Sequence, residues 1–176
     1  MKNTKVARVL SALGVLAASF AVLMLASIGT RAATWKGLEP FVSKRADVER
    51  ILGKPSEDRL AKDGTLHFEL REGPVAVSFV TARFIAVKKL SPALEGTVLQ
   101  ILVQHPVSSA TPESLNLAKN PDYEKQASGP TEVYTNPKDG IYYTFVGGHL
   151  KTTRYSYSEE QFRTFKVPSA EVKAPN

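Results

Sequence analysis

Three short stretches of this chain place apolar residues at every second position. Leu66, Phe68 and Leu70 are separated by His67 and Glu69, Val75, Val77 and Phe79 by Ala76 and Ser78, and Ile141, Tyr143 and Phe145 by Tyr142 and Thr144. Successive strand side chains point to opposite faces, so this spacing puts each apolar set on one face of a sheet, whereas a helix would scatter it. Arg71-Glu-Gly-Pro74 separates the first two runs and predicts a hairpin or a pair of meander strands. Gly147-Gly148 predicts a reverse turn from the third run into a strand over 149–157. The run VLQILV at 98–103 has the composition of a central strand buried on both faces. Asp63-Gly64 marks an earlier turn, and 58–62 reads as a further short strand. Residues 107–131, rich in Ser, Pro, Asn and Ala, read as a long irregular connection with one helical turn.

Helical period appears in two places. In WKGLEPFVSKRADVERILGKP, residues 35–55, Val48, Ile51 and Leu52 fall at i, i+3 and i+4 and form one apolar stripe. Ser43 is the expected N-cap, Gly53 the expected left-handed residue that ends the helix, and Pro55 forbids continuation. A phosphate-binding loop would place its glycines before the helix and end in Lys-Ser/Thr, so Gly53-Lys54-Pro55 reads as a stop signal rather than a working site. Ser158 followed by Glu159-Glu160 predicts a second helix through Phe165. Together these elements predict an α+β domain over 33–168, with a mostly antiparallel sheet, two or three short helices, and a frayed tail at 169–176.

The first 32 residues read as a targeting segment. Lys2, Lys5 and Arg8 precede an uncharged stretch from Val9 to Thr30, the arrangement of an export signal. Thr30-Arg31-Ala32 offers a small-x-small cleavage site, and the length of the apolar stretch also suits an uncleaved inner-membrane anchor or contact through 9–30. Either outcome holds the cationic end in the cytoplasm and places the domain outside the inner membrane, periplasmic or secreted. The leader also accounts for the charge. Four of the 23 basic residues precede residue 33, leaving 19 against 17 acidic ones, a net of +2, so nucleic acid is not an expected partner. The chain has no cysteine, which removes disulfides, thiolate metal sites, thiol nucleophiles and lipid attachment through an N-terminal Cys.

Ser43-Lys-Arg-Ala-Asp-Val-Glu-Arg-Ile-Leu-Gly-Lys-Pro55 with the strands ending near Phe79 resembles the helix, Leu-Gly-x-Pro and hairpin module of small envelope lipoproteins of the SmpA/OmlA type. That resemblance implies a non-enzymatic protein that assists β-barrel assembly in a bacterial outer membrane. The chain departs from the pattern in having no lipidated Cys and a larger C-terminal β unit. As a whole it is also similar to uncharacterised exported bacterial proteins with a Trp35-Lys-Gly37 opening and a late Asp139-Gly-Ile-Tyr-Tyr143 strand, which implies location and no function.

Catalytic motifs are few. His67, His105 and His149 have no HxH or HExxH spacing, and each reads as a surface position. No Gly-x-Ser-x-Gly elbow surrounds Ser43, Ser78, Ser91 or Ser158. Glu57-Asp58 and Glu159-Glu160 are adjacent acids whose side chains diverge, and in Asn136-Pro-Lys-Asp-Gly140 a lysine replaces an oxygen ligand that calcium would need. No cofactor or metal is expected. The aromatic and basic content of the last third, Tyr142, Tyr143, Lys151, Arg154, Tyr155 and Tyr157 with Tyr134 nearby, is the candidate binding patch. Such a strand face suits an envelope protein, an extended peptide or a glycan; sheet packing by tyrosine is the competing explanation. The sequence therefore points to an exported, non-enzymatic envelope protein that binds or scaffolds. The alternative is an extracytoplasmic hydrolase whose active site gathers dispersed residues.

Overall fold

The structure, a computed structural model, describes residues 32–57 and 64–168. The leader, the short strand expected at 58–62 and the tail from 169 lie outside the described residues. Seven strands form one antiparallel sheet: β1 (Thr65–Leu70), β2 (Gly73–Phe79), β3 (Val98–Gln104), β4 (Glu124–Ser128), β5 (Thr131–Asn136), β6 (Ile141–Val146) and β7 (His149–Ser156). Their spatial order is β1-β2-β3-β7-β6-β5-β4. Two meanders, β1 to β3 and β4 to β7, are thus joined edge to edge through β3 and β7. Three short helices accompany them: α1 (Arg45–Leu52), α2 (Ala82–Lys88) and α3 (Glu159–Thr164). The fold is α+β, as the alternation predicts. Among the described residues no helix is long and apolar enough to cross a membrane.

The register assigns every side chain to a face. One face carries Phe68, Val75, Val103, Thr153, Tyr143 and Tyr134 in a row across adjacent strands. On its β1–β3 half, Leu66, Phe68, Val75, Val77 and Ile101 form a buried cluster with Val48 of α1 and Leu38. Each buried Leu, Val or Phe there contributes about 1.5–3 kcal/mol relative to exposure. On the other half, Leu117 of the long 105–123 connection closes over Tyr134, Phe145 and Leu150. A third cluster sits where β2 and β7 end and β3 begins, and packs Phe41, Val80, Leu90 and Leu94 with Phe84 of α2 and Phe162 of α3.

Several sequence expectations require correction. Ser43 does not cap α1. Its Oγ accepts from the Glu39 backbone N–H at 2.9 Å, and Lys44 occupies the N-cap position, where the Asp47 carboxylate accepts from its N–H at 3.0 Å. The run at 98–103 buries Val98, Ile101 and Val103 and leaves Leu99, Gln100 and Leu102 half-buried, because no apolar cluster covers the face that Leu102 occupies; a bulge at Leu99 interrupts the pairing with β2. The connection expected over 107–131 contains β4, which is exposed at every position and owes its strand form to pairing with β5. Helix α2 was not anticipated. Its sequence ARFIAVK is rich in β-branched and aromatic residues and buries none completely, so its helical stripe is faint. Ser158 does cap α3, its Oγ accepting from Gln161 N–H at 3.1 Å.

Candidate binding site on the open sheet face

The face opposite the large clusters carries a second cross-strand row. His67, Ala76, Leu102, Arg154, Tyr142, Thr135 and Glu124 are successive partners from β1 to β4. Leu102, Arg154, Tyr142 and Thr144 are half-buried there, and none of the three apolar clusters includes them.

This register divides the six residues of the candidate patch. Tyr143 and Tyr155 belong to the covered face: Tyr143 lies 5.9 Å from the ring of Tyr123, and Tyr155 lies 6.5 Å from Trp35 and packs on the first cluster. Burial accordingly raises the Tyr143 phenol, and pushes that of Tyr155 up to about 12. Lys151 is exposed at a bulge in β7, opposite the Thr144/Phe145 step of β6. Arg154, Tyr142 and Tyr157 are the three that come together.

Arg154 stands on β7, the middle strand, with its guanidinium carbon 3.9 Å from the centre of the Tyr142 ring. Cation–π stacking of this kind contributes about 0.5–2 kcal/mol and fixes the plane of the guanidinium. Its Nε is buried and has no hydrogen-bond partner, and no carboxylate pairs with it among the described residues. A buried donor left unpaired costs about 1–3 kcal/mol. Tyr157, just beyond β7, stacks on Phe41 at 4.6 Å and on Phe162 at 5.4 Å and is half-buried. Burial raises the Tyr157 phenol, the Tyr142 phenol adds to that rise, and the Arg154 charge opposes it. Arg154 is thus stacked on Tyr142, and Tyr142 and Tyr157 border one cavity.

Beside them opens a cavity of about 330 Å³, lined by Pro137, Tyr142, Tyr157, Glu159, Phe162 and Arg163, a size within the range of small-ligand sites. Its walls are held by short-range polar geometry. In the 137–140 turn, Asn136 Nδ2 donates to Asp139 Oδ2 at 2.8 Å, and Asp139 N–H donates back to Asn136 Oδ1 at 3.1 Å. Ser156 N–H donates to the Gly140 carbonyl at 2.7 Å, drawing that turn onto the end of β7. Glu159 N–H donates to the Pro137 carbonyl at 3.1 Å, and Gln161 Nε2 ties α3 to the N-terminal segment through the Pro40 carbonyl at 3.0 Å. On the rim, Arg163 pairs with Glu160 at 3.0 Å.

Sequence reasoning found Tyr142, Arg154 and Tyr157 and missed Pro137, Phe162 and Arg163. The turn cluster and the capped helix that carry these three read in sequence as architecture alone. The cavity offers aromatic surface from Tyr142, Tyr157 and Phe162 and the guanidinium of Arg163, and none of its lining residues is a histidine. His67 and His149 are exposed. His105 departs from its expected surface position: it is half-buried, bonds Thr153 Oγ1 through Nε2 at 2.9 Å, and has its pKa lowered by burial. Among the described residues no three His, Cys, Asp or Glu side chains gather as a metal site.

No family model and no curated protein matches the chain. Among solved structures it is similar to the crystal structure of a DUF4309 family protein, YjgB, from Bacillus subtilis subsp. subtilis strain 168, at 13% identity and a TM-score of 0.49, covering 73% of this chain and 88% of that one.

Proposed function

We propose that this is an exported, non-enzymatic protein of the cell envelope that works by holding a partner, a protein or peptide segment, on the open face of its sheet. The observation that carries the reading is Arg154: a guanidinium in the middle of that face, oriented by Tyr142 and with no carboxylate paired to it among the described residues. Arginine held in this way is a common centre of recognition surfaces, because its planar fork loses little freedom when it engages an acceptor. The charge-free stretch at 9–30 supports export, and the resemblance of 43–79 to the SmpA/OmlA type supports an envelope role.

The test is site-specific photo-crosslinking in the producing cell. A photoreactive residue replaces Thr144 on the open face or Lys119 in the connection that covers the other face, and the cells are fractionated before analysis. Adducts from position 144 and none from position 119, in the envelope fraction, are expected. Equal adducts from both positions, or protein confined to the cytosol, would refute the reading.

A further inference from the structure

The cavity and the guanidinium have complementary chemistry. Arg154 stacks on Tyr142, Tyr142 and Tyr157 both border the cavity and carry hydroxyl donors, and Pro137 and Phe162 supply apolar wall. A guanidinium fork matches the two oxygens of a planar anion, and such charge-assisted bonds are about twice as strong as neutral ones. The rim limits the charge of that anion. Glu159 borders the cavity, and Arg163, the other cation there, already pairs with Glu160 at 3.0 Å. A doubly charged phosphate would meet Glu159 with more repulsion than a singly charged carboxylate. The volume of about 330 Å³ admits one apolar side chain beside the anion.

We propose that Arg154, with the Tyr142 and Tyr157 hydroxyls, receives a carboxylate whose apolar substituent enters the cavity between Pro137 and Phe162. The C-terminal acid of a peptide and a free aromatic acid share this chemistry. The inference rests on the binding reading above, and deepens it by naming what the open face recognises.

The experiment measures dissociation constants of the purified full chain for an N-acetylated tripeptide ending in Phe, as free acid and as C-terminal amide, and for phenylacetate. Amidation is expected to weaken binding at least tenfold. Arg154→Gln should weaken the acid by a similar factor and the amide by much less, while Arg154→Lys, which keeps the charge and loses the fork, should fall between. Phe162→Ala should weaken acid and amide alike. Circular dichroism confirms that each variant is folded. Tighter binding of the peptide acid than of phenylacetate assigns the site to chain termini, and the reverse assigns it to small acids; both sustain the proposal. Equal binding of acid and amide, indifference of the acid to Arg154→Gln, or capture of inorganic phosphate or a neutral oligosaccharide in place of the acid would overturn it. If the carboxylate fails while position 144 still crosslinks, the docking face stands and only its assigned chemistry falls.

Discussion

Gly140 is the tightest joint between the sheet and the candidate site, and replacing it with alanine tests the geometry directly. Its φ of +70° lies in the left-handed region, and a Cβ placed there would come 2.2 Å from the Ser156 carbonyl oxygen and 2.6 Å from that of Tyr157. The left-handed conformation costs an alanine roughly 1–2 kcal/mol. Relieving the overlap requires the end of β7 to move, and overpacking of this kind costs about 1–3 kcal/mol more. The sum is about 2–5 kcal/mol, a large share of the 5–15 kcal/mol typical of a domain. Gly148, with φ +78° and nothing within 4 Å of its imagined Cβ, is the control, since Gly148→Ala carries only the conformational term. In urea titration, with a slope of about 1.5 kcal/mol/M, a 3 kcal/mol loss moves the midpoint by about 2 M. Gly140→Ala should also weaken ligand binding in the folded state, because the displaced atoms include the Tyr157 backbone carbonyl beside that of Ser156. Two variants equal within about 0.5 kcal/mol would show that the close approach of the 137–140 turn to β7 is wrong.

Four further outcomes follow from the same geometry. Phe145, fully buried under the long connection, should cost about 3–5 kcal/mol as Ala, whereas Val107→Ala, at a position 97% exposed, should stay within about 0.5 kcal/mol in the same titration. Adjacent tyrosines should behave differently: Tyr143→Ala costs about 2–3 kcal/mol by opening the Tyr123 contact, while Tyr142→Ala costs about 1 kcal/mol and abolishes binding; equal losses would contradict the register. Burial raises the phenols of Tyr123 and Tyr155 to about 12, so the folded state binds more protons than the unfolded state above pH about 10. Their contribution is complete below pH about 10 and is lost as pH rises towards about 12; Tyr155→Phe should flatten that alkaline decline, measured by thermal melts at stepped pH. His105 has the opposite sign. Its folded pKa lies below the ordinary 6.5, so its contribution is present above 6.5 and is lost as pH falls through the folded value, and His105→Gln should remove that acid slope.

What the sequence showed and what it hid have one physical origin. Alternation was legible at Leu66-Phe68-Leu70 and Ile141-Tyr143-Phe145 because those strands bury one face and leave the other to polar or half-exposed residues. Glu124–Ser128 buries nothing, so no periodicity could announce β4. The same limit applies to the site. Tyr142 and Arg154 are each visible as residue types, but their meeting depends on one irregularity. The β6–β7 hairpin begins with Val146 opposite His149 and Phe145 opposite Leu150; continued without interruption, it would set Tyr142 against Thr153. The bulge leaves Lys151 unpaired and slips the register by one residue, so that Tyr142 faces Arg154 and Tyr143 faces Thr153. A one-residue slip transfers every side chain beyond it to the opposite face. Without the bulge, Arg154 would lie on the covered face, beneath a connection whose buried residues are apolar, and the desolvation of a lone guanidinium would oppose folding. The bulge is therefore what makes Arg154 compatible with this sheet and available to a ligand on its open side, and it is set by pairing between strands, which no single strand's sequence displays.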